Sequence, residues 1–160
     1  MKKLTLIICL LVASVAAKAQ FEEGKWFVNP SLTGLNLSYN SESKTTFGFE
    51  ALGGAFLLDN VALLVNAGAL WTDNDDVYTL GVGGRYYFDQ IGIYTGVGVK
   101  MNHYKWKGGD TTNYALSAEV GYAFFITKTV TVEPAVYYDL SLKDGDYSRL
   151  GLKIGFGIYF

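Results

Sequence analysis

From residue 20 to the last residue, apolar and polar side chains alternate with period two, and no stretch carries the 3.6-residue period of a helix. A strand sends successive side chains to opposite faces, so period two means strands with two different surroundings. Turn-forming clusters interrupt the pattern at regular intervals. The spacing predicts eight strands, over 25–39, 45–58, 61–72, 77–88, 91–104, 113–126, 130–142 and 149–160. The connections alternate as well. Asp59-Asn60, Asp89-Gln90 and Thr127-Lys128-Thr129 are tight turns, whereas 40–44, 73–76, 105–112 and 143–148 are longer, polar and charged. Short turns at one end and longer loops at the other are the layout of an up-and-down barrel in a membrane. No linker or low-complexity tract divides the chain, and the recurring strand–turn–strand–loop unit is a meander rather than a solenoid.

The two faces differ in kind. One face of the eighth strand reads Leu150, Leu152, Ile154, Phe156, Ile158 and Phe160; one face of the fourth reads Tyr78, Leu80, Val82, Gly84, Tyr86 and Phe88. The second, third, fifth, sixth and seventh strands behave likewise, and none of these sets contains Asp, Glu, Lys or Arg. A Lys or Arg facing lipid at the bilayer midplane costs about 2–4 kcal/mol, so that absence fits contact with lipid. The alternate face carries Glu50, Asn66, Arg85, Lys100, Glu119, Glu133, Asp139, Arg149 and Lys153, interleaved with glycines such as Gly54, Gly81, Gly96, Gly121, Gly151 and Gly155. An eight-stranded barrel has an interior just wide enough for side chains to fill. Long charged side chains fit there beside small neighbours.

A secreted lipocalin-like barrel would turn the apolar face inward. Against it, the apolar face holds too many large residues for one narrow lumen. The polar face is also Gly-rich and short of the residues that cover a soluble sheet. The fold class that follows is all-β, an eight-stranded antiparallel up-and-down transmembrane β-barrel. The inward charges balance, with Glu50, Glu119, Glu133 and Asp139 against Arg85, Lys100, Lys153 and Arg149. Buried charges are tolerable when paired and hydrogen-bonded. The expectation is a closed plug of salt bridges, because an aqueous channel needs roughly 16–18 strands.

Two irregularities stand out. In the first strand the apolar phase switches after Leu32, and a bulge near Thr33-Gly34 restores it. Pro134 lacks a ladder donor and marks a local bulge in the seventh strand. Aromatic residues gather at strand ends. Trp26, Phe27, Phe88, Phe124 and Phe160 lie near the short turns; Tyr39, Trp71, Tyr78, Tyr104, Trp106, Tyr114 and Tyr138 lie near the loops. Amphipathic rings prefer the headgroup level of a bilayer.

The N-terminus is of another character. Lys2 and Lys3 precede a nearly unbroken apolar run over 4–17, and Ala17 and Ala19 are small. This is a secretory signal peptide, 1–19, cut after Ala19, and too short for a comfortable helical span. Cys9 follows Ile8, which is wrong for lipidation, and it leaves with the signal. The barrel is then 20–160, with 10 basic against 15 acidic residues. The acidic balance argues against nucleic acid as a partner. One Cys and one His in the whole chain leave no cluster for a structural zinc, and no cofactor is implied.

The most specific motif is C-terminal. Leu152, Ile154, Phe156 and Ile158 alternate up to a terminal Phe160, which resembles the signal read by the barrel-assembly machinery of outer membranes. With the signal peptide and eight strands, the mature chain resembles the small outer-membrane β-barrel proteins of the OmpA/OmpX type. The resemblance implies a Gram-negative outer membrane, with lipid, lipopolysaccharide and the assembly machinery as partners, and a monomer. Gln20 after the cleavage site is similar to a Bacteroidetes habit. The chain departs from OmpA in having no peptidoglycan-binding domain after the barrel, and from OmpX in lacking long protruding strands.

Catalysis finds little support. Lipid A deacylases and palmitoyltransferases resemble this size and topology, and they use a His with a Ser or an acid. The sole histidine, His103, has Asn102, Tyr104 and Lys105 beside it in sequence, so partners would have to come from another strand. Asp73, Asp75 and Asp76 form an acidic tip that reads as a solvated turn without calcium-loop spacing. Lys105, Lys107 and Lys143 are placed to meet lipopolysaccharide phosphates. The expected role is structural or surface interaction, with a lipid A-modifying enzyme and a lipocalin-like ligand carrier as alternatives.

Overall fold

The computed structural model describes residues 21–35, 47–71, 75–88, 91–143 and 148–160. The expected signal peptide over 1–19, the expected loop at 40–44 and the expected Asp89-Gln90 turn lie outside the described residues. Among the described residues nine strands form: β1 (Trp26–Leu35), β2 (Phe47–Leu58), β3 (Val61–Trp71), β4 (Asp75–Tyr87), β5 (Ile93–Trp106), β6 (Gly109–Tyr122), β7 (Phe124–Phe125), β8 (Val130–Ser141) and β9 (Arg149–Tyr159). Every neighbour is antiparallel. β1 pairs with β9, and β8 pairs with both β6 and β7, so the sheet closes on itself. β6 and β7 are one physical strand broken at Ala123. Gly121↔Ala135 and Phe124↔Val132 share one register across the break. The result is a closed eight-stranded barrel, as the alternation predicts.

The irregularities have clear origins. Along β9 the register of β1 shifts between Thr33↔Lys153 and Leu35↔Leu152, which places the expected bulge at Gly34. Pro134 does not bulge. Its pairing with Ile154 of β9 is regular, and it lies opposite the gap between β6 and β7, so the missing N–H falls on that side and interrupts the ladder without shifting it. A second register shift, between Phe56↔Ala62 and Leu58↔Val61, was not legible. It leaves both Leu57 and Leu58 outward, next to a turn in which Asn60 takes φ 67°.

One expected loop is a strand pair instead. β5 and β6 stay paired from Ile93↔Tyr122 out to Trp106↔Gly109, leaving only Lys107-Gly108 as the turn. β4 follows them to Asp75↔Trp106. The stretch over 105–112 looked like a loop because its side chains are polar on both faces. That is also how a strand reads once it has left the apolar band. The acidic tip likewise resolves in part into β4, where Asp76 stands opposite both Trp71 and Lys105.

Side chains sort as the alternation requires. Val65, Val82, Val97, Leu116, Val120, Val136 and Ile154 point outward and are exposed, and the described core lies inside the barrel. At the turn end that core is aromatic, with Phe21, Phe27, Phe56, Tyr87, Tyr94 and Tyr159. Midway it is charged. At the loop end it is polar, with Asn102, Asn113 and Ser141.

Candidate functional site

The charged middle layer is assembled one or two residues per strand. β2 supplies Glu50, β4 Arg85, β5 Lys100, β6 Glu119, β8 Glu133 and Asp139, and β9 Lys153. The pairing puts a small residue beside each long one. Glu50 faces Gly68 and Ser31, Arg85 faces Ala62 and Gly96, Lys100 faces Gly81 and Ala115, and Glu133 faces Gly155. At these positions the small residues make room for the charges. A Cβ at Gly96 would meet the Glu119 side chain, and one at Gly155 would meet the Asn29 amide.

The seven side chains form a chain of alternating sign. Arg85 donates from Nε and Nη2 to Glu119 Oε1 at 2.9 and 2.6 Å, and from Nη1 to Glu133 Oε2 at 3.0 Å. Lys153 Nζ lies 2.5 Å from Glu119 Oε2 and 3.7 Å from Glu50 Oε2. Lys100 Nζ lies 3.9 Å from Glu50 Oε1 and 3.1 Å from Asp139 Oδ1. Neutral donors complete the carboxylates. Asn66 Nδ2 donates to Glu50 at 2.6 Å. Glu133 accepts from Asn29 Nδ2 at 2.6 Å, Thr131 Oγ1 at 2.7 Å and Tyr159 OH at 2.6 Å. At 1% exposure Glu133 needs every one of these, because an unpaired buried carboxylate is strongly unfavourable.

Arg85 ties this layer to the aromatic one. Its guanidinium carbon lies 4.0 Å from the centre of the Tyr94 ring, and Nη1 donates to Tyr87 OH at 3.0 Å. Below it, the segment before β1 folds back over the turn end. Gly24 (φ 83°) makes the bend, its N–H donating to Phe56 O, while the Asn60 N–H donates to Phe21 O. Phe21 thereby enters the barrel and stacks on Tyr87 at 4.1 Å.

Of the eight lumen charges read from the sequence, Arg149 stands apart. It packs over the Tyr104 ring at 5.2 Å. Asn29 and the inward tyrosines were missed as partners, although their parity matches the charges. Parity also corrects two aromatics assigned to the interface: Phe27 and Tyr104 are 1% and 5% exposed and lie inside. Trp26, Phe88, Phe124, Phe160, Trp71, Tyr78, Trp106, Tyr114 and Tyr138 are exposed at the two ends as expected, while Tyr39 lies outside the described residues. Of the C-terminal motif, Ile154, Phe156, Ile158 and Phe160 point outward and Leu152 is half-buried. His103 does find partners from β6, with Nδ1 3.1 Å from Thr112 Oγ1 and Nε2 3.9 Å from Asp110 Oδ2, all on the exposed rim. Among the described residues no His, Cys, Asp or Glu cluster could hold a metal ion.

Little space is left between these groups. A cavity of about 40 Å³ lies between the network and a wall of Gly83, Gly96 and Gly98. That is room for a few water molecules.

No family model matches the chain, and no curated protein matches it. Solved structures do. The N-terminal β-barrel domain of Pseudomonas aeruginosa OprF aligns with a TM-score of 0.70 at 13% identity, over 86% of this chain and 98% of that one. The fold is that of an outer-membrane β-barrel. Neisserial surface protein A aligns with a TM-score of 0.64 at 16% identity, over 86% and 98%. The Yersinia pestis outer membrane protein Ail aligns at 0.60 and 12%, over 86% and 100%. At such identities the likeness concerns architecture, and nothing in it supports the Bacteroidetes likeness of Gln20.

Proposed function

We propose that the chain is an integral outer-membrane protein of a Gram-negative bacterium, with a structural or surface-interaction role and a closed lumen. One observation carries this reading. Among the described residues, outward positions between the two aromatic girdles hold no charged side chain and expose Val65 at 58%, Val97 at 69% and Val120 at 56%, whereas the charges are paired inside. Water gives no return for that arrangement, and a bilayer does. The partners are then outer-membrane lipid and lipopolysaccharide, with Leu152, Ile154, Phe156, Ile158 and Phe160 offered to the barrel-assembly machinery. Lys105 and Lys107, exposed on the β5–β6 hairpin, are placed for lipopolysaccharide phosphates, as is Lys143, whose Nζ donates to Thr111.

The reading is of a monomer without catalytic activity. In support, the His103 group is open to solvent, with its ring 39% and Asp110 68% exposed, so it lacks the enclosure that acyl transfer uses. The test is to refold 20–160 with and without lipid. The reading expects β-rich circular dichroism only with lipid or detergent, a mobility difference between boiled and unboiled samples, and no steady conductance in planar bilayers. Folding in plain buffer without that shift would overturn the membrane assignment, and steady conductance would overturn the closed lumen.

A further inference from the structure

Two prolines interrupt the wall, and both breaks border the same pair of strands. Trp26 and Phe160 exchange backbone bonds, Trp26 N–H to Phe160 O at 2.8 Å and Phe160 N–H to Trp26 O at 2.9 Å. Bonded residues recur at every second position of an antiparallel pair, so Val28, Pro30 and Leu32 also turn their backbone groups to β9. Pro30 has no N–H to give. The ladder carries the gap: Val28↔Ile158 and Ser31↔Gly155 pair, and no pairing joins Asn29 or Pro30 to β9. The Gly34 bulge disturbs the same seam. On the far side of the pair, Leu142 N–H donates to Tyr114 O at 2.8 Å, which turns the even positions of β8, Pro134 among them, toward β6 and β7. The donor missing there falls at the Ala123 break. β8 and β9 themselves pair without interruption from Val130↔Ile158 to Asp139↔Arg149, and β3 to β6 are joined without a register shift.

Side chains in the lumen compensate. Arg85 of β4 reaches Glu133 of β8 at 3.0 Å, Lys100 of β5 reaches Asp139 of β8 at 3.1 Å, and Lys153 of β9 reaches Glu119 of β6 at 2.5 Å. Asn29 of β1 donates to Glu133 at 2.6 Å, beside the gap at Pro30. Each of these contacts ties β8 or β9 to the rest of the wall. We propose that β8 and β9 form a panel that opens and closes as one unit between the Pro30 and Pro134 seams, clasped from inside by the Arg85–Glu133, Lys100–Asp139 and Lys153–Glu119 pairs. In a bilayer each backbone group that loses its partner is costly, so the wall parts most readily where donors are already missing. Local opening runs in contiguous units, and two such seams delimit one. Parting the clasp is the larger cost, because it separates buried charges, and it keeps the lumen closed at rest. Glu133, Asp139 and Lys153 move with the panel, so the lumen opens along its length rather than at a single pair.

The experiment is amide hydrogen exchange of the refolded protein in uncharged micelles, read residue by residue by NMR. The Ile154 amide reports on the seam with β1 and the Tyr138 amide on the seam with β6; Val82 and Val99, in the β4–β5 ladder, are the controls. Ile154 and Tyr138 are expected to share one level of protection, at least about tenfold below that of Val82 and Val99. Pro30→Val returns a donor to the first seam alone. It should raise the protection of Ile154 and, across the panel, of Tyr138 by the same factor of about three to ten, the worth of one hydrogen bond. Asp139→Asn loosens the clasp and should lower both by about tenfold with Val82 and Val99 unchanged, whereas a general loss of stability would lower all four. If Pro30→Val fails to fold, Pro134→Val makes the comparison from the other seam. Seam protection no lower than the controls, a Pro30→Val effect confined to Ile154, or an Asp139→Asn effect absent from the seams or equal at all four amides overturns the proposal.

Discussion

Phe21 lies with its ring 4.1 Å from that of Tyr87, stacked at 22°, although the two residues belong to the segment before β1 and to the end of β4. Tyr159 meets the same ring edge-on at 5.8 Å. The turn end of the lumen is therefore closed by a residue that belongs to no strand. Replacing it with Ala removes the stack and leaves a void among Phe56, Tyr87, Phe125 and Tyr159. The expected cost of Phe21→Ala is about 3–5 kcal/mol, as for other buried aromatics cut to Ala. Urea unfolding in lipid vesicles measures it, and an unchanged midpoint would show that the segment only rests on the barrel.

Arg85 is the residue on which both inner layers depend. It is 2% exposed, binds Glu119 and Glu133, and caps Tyr94. Arg85→Met keeps much of the volume but leaves two carboxylates short of a counter-charge. Breaking a buried pair from one side costs about 3–5 kcal/mol. The double variant Arg85→Met with Glu133→Gln should recover part of that loss, because it removes one orphaned charge. Equal stability of the single and double variants would refute the coupling.

Glycines offer a contrast between the two faces. A Cβ at Gly121 would run into the Tyr94 phenol and the Ala135 methyl inside the barrel, whereas a Cβ at Gly53 on the outer face meets nothing within 4 Å. Gly121→Ala should destabilise by about 1–3 kcal/mol through overpacking. Gly53→Ala should be neutral or stabilising by about 0.4–1 kcal/mol, since it restricts the unfolded chain without a clash. Paired unfolding curves of the two variants would settle the sidedness, and a reversed order would mean that the faces are misassigned.

The architecture was legible because alternation is a local property that each strand states for itself. The eight inward charges and the Gly34 bulge both follow from phase alone. What escaped needed knowledge of partners. Phe27 and Tyr104 share the parity of Asn29 and Asn102, but aromatic residues at strand ends look like interface anchors until the ladder places them inside. That Arg149 would leave Asp139 for Tyr104, and that Thr112 and Asp110 would stand beside His103, depends on rotamers and cross-strand register. Neither is written in spacing. The paired stretch of β5 and β6 beyond Tyr104 escaped for the opposite reason: outside an apolar band, a strand no longer has two unlike faces to alternate between.

The outward face makes the last prediction. Val82 and Val99 are exposed at 58% and 45% and stand opposite each other in the β4–β5 ladder, midway along the strands. In a bilayer this is the depth at which a charge is least tolerated. Val99→Arg should lower stability in phospholipid vesicles by about 2–4 kcal/mol, whereas Thr112→Arg, at the loop-end rim, should cost about 0–1 kcal/mol. The gap between the two variants should narrow in short-chain detergent micelles, whose thinner and more deformable apolar belt lets a long Arg side chain reach water. Refolding yield and urea midpoint in both media give the comparison. A Val99→Arg protein as stable in vesicles as its parent would place that surface in water, and the apolar band would then need a protein partner to cover it.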